Sequence, residues 1–348
     1  MTLSRRSFIG TSGAVAAATV LRVSSVGAEE GLFKGRSIRL LVGTTPGAGY
    51  DLIARLLAPA LSRLIPGNPS VVVENMPGAG SLVMMNYLYN RAPRDGTVMG
   101  LPLNGVLLEP TVKLMSRAGG AANFDIQKMP WIGSSTEDAQ ALWFRTDSRI
   151  KSIADLQSTK SIVAASAPGA DNFTVAVLTN NLLNTKMEVV RGYQGTNPIF
   201  LAIERGEADG SATAYSAVVV TRPQWLKDNT IKVLIQYGQE RLPDLPDVPT
   251  AIEVADDKDI KEMLRIFAVK FKATYPFVLP PETPGERVEI IRAAFDAAMK
   301  DATFLDATKK GGLPIRPLRG ADIERLIGET LKAPEKLLER LRAAVLPS

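Results

Sequence analysis

The sequence predicts an α/β fold, with mainly parallel sheets, crossover helices and enough chain for about two domains. Three observations carry this. From Arg36 onward, short β-branched runs alternate with stretches of helical periodicity, the pattern of strand–helix–strand units. Gly-rich turns stand where strands give way to helices. The 348 residues are 45% hydrophobic and 22% charged, an ordinary globular balance with apolar material for more than one core.

Taken in order, Ile38 to Val42 reads as a strand. Asp51 to Leu64 reads as a helix, with Leu52, Ile53, Leu56, Leu57, Ala60, Leu61 and Leu64 at helical spacing. Pro59 inside that run predicts a kink or an early end. Ser70 to Val73 is a second strand and Ser81 to Arg91 a second helix. Trp131 to Gly133, Ala141 to Arg145, Ser161 to Ala165, Glu188 to Gly192 and Ile231 to Gln236 follow as strands. Ile153 to Leu156, Phe173 to Leu183 and Pro198 to Arg205 are helical. Ser116 to Asn123 is Gly/Ala-rich and reads as a surface loop. Arg241 to Thr250 holds three prolines in ten residues, so it is neither a central strand nor a helix. The tail from Pro284 to Leu346 reads as amphipathic helices broken at Gly311-Gly312 and Pro317.

One kind of turn recurs. "PGAG" at Pro46 to Gly49 follows the first strand and "PGAG" at Pro77 to Gly80 the second; "PGAD" at Pro168 to Asp171 and "QGTN" at Gln194 to Asn197 follow later ones. Each places unpaired helix-start N–H groups at the carboxyl end of a strand, where open α/β sheets bind ligands. Any one alone is simply a tight turn that needs Gly. The set points to a shared anion site. None of the four contains Lys or Arg, so the phosphate-loop pattern fails, and Leu52 and Val83 stand where a dinucleotide fingerprint needs its third Gly. The donors on offer are backbone N–H groups, the hydroxyls of Thr44, Thr45, Ser81 and Thr196, and the amides of Asn172 and Asn197. They suit a carboxylate held without a salt bridge. Asp51 reads as a cap of its own helix or an anchor for water.

Composition excludes much else. Cys and His are absent, so there is no disulfide, thiolate metal site, Cys nucleophile or Ser-His-Asp triad. No EF-hand loop or other carboxylate ligand spacing is present, so neither a metal nor a cofactor is expected. Three of the 41 basic residues, Arg5, Arg6 and Arg22, lie near the N-terminus, leaving 38 against 36 acidic ones. That near-neutral body, with no basic block, argues against nucleic acid as a partner. Residues 1–28 read as an export signal. Ser4-Arg5-Arg6-Ser7-Phe8-Ile9 resembles the twin-arginine motif, a weakly apolar stretch follows, and Val26-Gly27-Ala28 suits a signal peptidase. No later segment reaches the ~18 apolar residues of a membrane span. The remaining chain is expected to be soluble, monomeric and periplasmic.

"IRLLVGTTPGAGYDLIARLLAPALSRL", "VVVENMPGAG", "APRDGTVMG", "GYQGTNPIFLAIERGEAD" and "RLPDLPDVPT" resemble the extracytoplasmic receptors of tripartite tricarboxylate transporters, the Bug family, from about Arg36 to the C-terminus. The resemblance implies a two-lobed, type II periplasmic-binding-protein-like fold that clamps a carboxylate in its cleft. It implies a first lobe of residues 33–138 and 251–348 and a second of 139–250. It also implies delivery to membrane transporter subunits. In that family two loops hold the carboxylate through backbone and water. They map here onto Thr44, Thr45, Pro46, Gly47, Ala48, Gly49, Tyr50 and Asp51, and onto Tyr193, Gly195, Thr196 and Asn197. Gly78, Ala79, Gly80 and Ser81, then Ser166, Gly169, Ala170, Asp171 and Asn172, and finally Tyr215 complete the candidate site. Three departures stand out: Ala48-Gly49 replaces Gly-Gly, Asn172-Phe173-Thr174-Val175 replaces a polar helix containing His, and Ala214-Tyr215 stands where many relatives carry Asp or Asn. They imply a ligand whose far end is more apolar or aromatic than citrate.

The expected role is therefore a binding protein and not an enzyme. Two alternatives stay open: a carboxylate sensor acting through a signalling partner, and a periplasmic enzyme using Tyr50, Asp51 or Asp171 as acid or base. No base–nucleophile pair is visible to favour the enzyme.

Overall fold

A computed structural model of the chain describes residues 31–113, 116, 120–167 and 170–346. The export segment, and Pro168 and Gly169 of the third loop, lie outside the described residues. Two sheets organise the rest. The first runs β11-β4-β10-β3-β1-β2 and is built from β1 (Ser37–Val42), β2 (Ser70–Asn75), β3 (Val98–Leu101), β4 (Trp131–Ser134), β10 (Pro276–Val278) and β11 (Leu318–Arg319). The second runs β7-β6-β8-β5-β9, from β5 (Gln140–Arg145), β6 (Ser161–Ala164), β7 (Met187–Val190), β8 (Gly210–Ala214) and β9 (Ile231–Tyr237). This is the expected two-lobed α/β architecture.

Each sheet is mixed. β2-β1-β3 and β7-β6-β8 are parallel, as crossover helices require. β10, β4 and β11, and likewise β5 and β9, join antiparallel. Of these, β4, β5 and β10 adjoin the segments through which the chain passes from one sheet to the other. There the crossing segments run side by side. The N–H groups of Ser135 and Thr274 donate to the carbonyls of Tyr275 (3.3 Å) and Thr136 (3.1 Å), and that of Asp138 to Phe271 (3.1 Å).

Ten helices matter here: α1 (Gly49–Leu64), α2 (Leu82–Asn90), α3 (Asp171–Leu183), α4 (Thr196–Glu204), α5 (Tyr215–Thr221), α6 (Lys258–Lys272), α7 (Gly285–Ala298), α8 (Ala302–Lys310), α9 (Gly320–Thr330) and α10 (Glu335–Ala344). α1 buries Ile53, Ala54, Leu57, Ala60 and Leu61 against Ile38, Leu40 and Val42 of β1 and against α7. Each such large side chain contributes ~1.5–3 kcal/mol by leaving water. Two details of α1 differ from the sequence reading. Leu52 is exposed, and the helix runs on through Pro59. Pro59 and Arg55 both face solvent, so the carbonyl that loses its intrahelical donor can bond water instead. The second sheet packs Leu142, Phe144 and Leu234 on α3, on Met263 and Phe267 of α6, and on Leu337 and Leu341 of α10. α6 and α5, and strands β3, β8, β10 and β11, were not read from the sequence.

Pairing in register brings the loops together. Val42 lies opposite both Asn75 and Leu101, so the turns after β1, β2 and β3 leave one edge of the first sheet. Ala164 lies opposite Val190 and Ser211, which does the same for the turns after β6, β7 and β8.

Candidate functional site

The first loop owes its shape to Gly47 and Asp51. Gly47 has φ +81°, a backbone angle that a residue with a Cβ adopts only at a cost. The Asp51 carboxylate, nearly buried, accepts from the Gly47 N–H (2.9 Å), the Asn75 amide (2.9 Å) and the Arg55 guanidinium (3.0 Å). The hydrogen-bonded guanidinium of Arg55 holds this carboxyl at about 2. The expected cap of α1 is thus a staple across the loop: Asp51 turns inward and offers no free oxygen to a ligand.

Tyr50 is also committed. Its hydroxyl donates to the carbonyl of Thr274 (2.7 Å) and accepts from the N–H of Asn104 (3.1 Å), while its ring meets Tyr275 edge-on at 4.7 Å. Burial pushes both phenols up, Tyr275 to about 12 and Tyr50 well above its ordinary value. What remains for a ligand is the backbone. Thr45, Pro46, Gly47 and Gly49 are exposed and Ala48 half-buried. The first-turn N–H groups of Gly49, Tyr50 and Asp51 have no carbonyl partner within α1. The Thr44 hydroxyl is buried beside them with no hydrogen-bond partner.

The second loop turns through positive φ at Gly78, Ala79, Gly80 and Ser81 in succession. Its hydroxyl is spent: Ser81 donates to the Gly43 carbonyl and accepts from the Leu103 N–H, both at 3.0 Å. Gly43, which the sequence reading passed over, is therefore required. A Cβ there would lie 2.2 Å from the Ser81 hydroxyl. Gly78 and Ala79 remain exposed.

On the second sheet, Asn172 accepts from the Ser166 N–H and donates to the Ser166 hydroxyl, both at 3.0 Å, which ties the start of α3 to the end of β6. Ala170 precedes α3 as its N-cap. Gly195 plays the same part for α4 at φ +95°, with Thr196 half-buried and Asn197 exposed behind it. Tyr193 packs against the second sheet's aromatic cluster, which contains Trp143, Phe200 and Trp225.

The site also has a cation that loop composition could not reveal. Lys270 of α6 is fully buried. Its ammonium lies 4.2 Å and 4.8 Å from the ring centres of Phe267 and Phe271, and 2.5 Å from a carboxylate oxygen of Asp171. Asp171 is accordingly half of an ion pair and not a free base. Asp138, buried in the crossing segment, accepts from the Ser216 hydroxyl (2.5 Å) and the Ala139 N–H (2.8 Å), and burial pushes its carboxyl up. Tyr215, whose N–H donates to the Ala139 carbonyl (2.9 Å), opens onto a cavity of about 430 Å3 shared with Asp138, Ser216 and the 305–316 segment. Of the sequence candidates, Tyr215 alone lines that cavity. Lys270, Tyr275, Asn104 and Asp138 carry no motif; only the partners that the fold gives them mark them out.

Among the described residues, no group of Asp and Glu is placed to hold a metal ion, and no helix is long and apolar enough to cross a membrane.

Residues 53–342 match the tripartite tricarboxylate transporter family receptor. The chain belongs to that family. This receptor is 25% identical to a UPF0065 protein encoded in the gbd 5′ region of Cupriavidus necator, over 98% of its own length and 99% of the relative's. Its fold is similar to that of a TctC solute-binding protein from Polaromonas, with a TM-score of 0.68 at 18% identity, covering 88% of this chain and 98% of that one. It is also similar to MatC of Rhodopseudomonas palustris, solved with bound malate, with a TM-score of 0.60 at 20% identity, covering 90% and 100%. The receptor is thus a solute-binding component of a tripartite transport system, as the sequence motifs imply.

Proposed function

We propose that the receptor captures a small organic carboxylate between its lobes in the periplasm and delivers it to the membrane subunits of its transporter. Residues 1–28 direct export and are removed after about Ala28. One lobe is built on each sheet, α6 and α10 pack with the second, and the lobes close about the paired crossing segments at 135–138 and 271–275. The observation that carries the reading is the first loop. An exposed helix start, held open by Gly47 and stapled from behind by Asp51, adjoins a buried Thr44 hydroxyl without a partner. Such a helix start attracts an anion, and a carboxylate oxygen would satisfy the donors there. Gly78 to Gly80, Ser166 to Asn172 and Tyr193 to Asn197 complete the enclosure. The receptor binds without reacting: Tyr50, Asp51 and Asp171, the acids and bases at hand, are each engaged by another protein group.

Calorimetry with matched carboxylates and carboxamides tests this. The acid is expected to bind and its neutral amide to bind far more weakly, because charge-assisted hydrogen bonds are about twice as strong as neutral ones. The bound compound should be recovered unchanged after long incubation. Equal affinity for acid and amide would sink the carboxylate reading, and turnover would sink the receptor-only one.

A further inference from the structure

The cavity beside Tyr215 is apolar where a polycarboxylate would need charge. Its walls include Tyr215 and Val219 from α5, Leu305 from α8, and Leu313, Pro314 and Ile315 from the segment after α8. Large apolar side chains left in water gather here: Val219 and Leu305 line the cavity at 41% and 37% exposure. The Gly311-Gly312 turn at its edge brings in two more. A Cβ on Gly312 would lie 2.5 Å from Val220 and one on Gly311 3.9 Å from Leu52, themselves 41% and 40% exposed. Leu52 belongs to the first turn of α1, directly after the carboxylate loop, and Gly311 beside it adjoins Gly312 at the cavity edge.

The charged groups of the cavity offer no free, buried cation for a second carboxylate. Asp138 is an acid, buried and already bonded to Ser216. The Arg316 guanidinium is held by Asp244 at 2.5 Å. Lys309 is exposed, where water weakens its attraction for an anion. A volume of about 430 Å3 lies within the ~300–1,000 Å3 typical of small-molecule pockets.

We propose that this cavity takes the hydrocarbon body of the ligand, so that the cargo is a monocarboxylate with an aromatic or branched apolar body and not a di- or tricarboxylate. The inference rests on the carboxylate reading above. The acid group sits on the first loop and the apolar body reaches past Leu52 toward Val219 and Leu305. Apolar contacts there leave no buried polar group without a partner, whereas a second carboxylate would lose its hydration beside Asp138.

Calorimetry with phenylacetate, 3-methylbutanoate, malate and citrate tests it, on the purified protein and on Val219→Asp and Leu305→Asp. Both sites are exposed enough to accept a charge without unfolding, and an unchanged melting temperature checks this. Phenylacetate or 3-methylbutanoate is expected to bind at least tenfold more tightly than malate or citrate, and each substitution to weaken that binding at least tenfold. Tighter binding of malate or citrate would overturn the inference while leaving the carboxylate reading intact. So would substitutions that leave binding of the apolar acids unchanged. Binding by no carboxylate at all would overturn both.

Discussion

Lys270 and Asp171 form an ion pair whose two halves differ in burial, and that asymmetry can be measured. Lys270 is wholly enclosed, whereas the Asp171 side chain keeps 27% of its surface. Asp171→Ala strands an ammonium among Phe267 and Phe271 with no counter-charge and no route to water. Losing one partner of a buried pair in this way costs ~3–5 kcal/mol. Lys270→Met does the opposite. The stem keeps its packing on both rings, the buried charge disappears, and the Asp171 carboxylate turns to the solvent it already touches. The cation–π attraction, ~0.5–2 kcal/mol, and the ion pair with Asp171 go, and both are offset by the desolvation no longer suffered. Lys270→Met is therefore expected to lie within about 1 kcal/mol of the parent, with Asp171→Ala at least ~2 kcal/mol worse. The double variant should resemble Lys270→Met alone, because the stranded charge is gone. Urea denaturation followed by tryptophan fluorescence reads all three, provided the slope with denaturant stays constant. Equal losses for the two single variants would refute the reasoning, since they would mean that the lysine reaches water or that the pair is not formed.

Gly43→Ala would push a methyl group into the Ser81 hydroxyl; overpacking of this kind costs ~1–3 kcal/mol, and a lowered melting temperature checks it. Gly47→Val meets open space but a positive φ, so the protein should remain folded by circular dichroism while calorimetry shows binding lost. The carboxyls of Asp51 and Glu253 are both held at about 2, chiefly by hydrogen bonds from Arg55 and Arg241. Because both folded values lie below the unfolded ones, their stabilisation is complete above the ordinary carboxylate range and is lost as pH falls from about 4 toward 2. Acid titration of parent and Asp51→Asn should show a shallower loss in the variant, with Asp51 contributing more than the half-exposed Glu253. Arg5→Lys combined with Arg6→Lys should leave precursor in the cytoplasm, read by fractionation; normal periplasmic protein would assign export to the general secretory route.

The sequence by itself determined the local features. Strand-to-helix turns with glycine at Gly47, Gly78 and Gly195 are legible because positive φ favours glycine, which has no Cβ to clash. The absence of Lys and Arg from the four loops was equally plain. The conclusion that no cation stands at the site did not follow from it, because Lys270 meets Asp171 from 99 residues away. The fates of Tyr50, Ser81 and Asn172 were hidden for a related reason. A hydroxyl or an amide in a loop reads as a ligand donor until the fold supplies the Thr274 carbonyl, the Gly43 carbonyl or Ser166 to engage it. The cavity beside Tyr215 is more remote still from local rules. Its walls come from α5 in one half of the chain and from the 305–316 segment in the other, and they meet only because the crossing segments at 135–138 and 271–275 bring the two sheets together. Backbone conformation is a property of a few neighbouring residues, so sequence determines it. Which polar groups stay free, and which apolar side chains share a hollow, depends on partners distant along the chain, and only tertiary structure decides it.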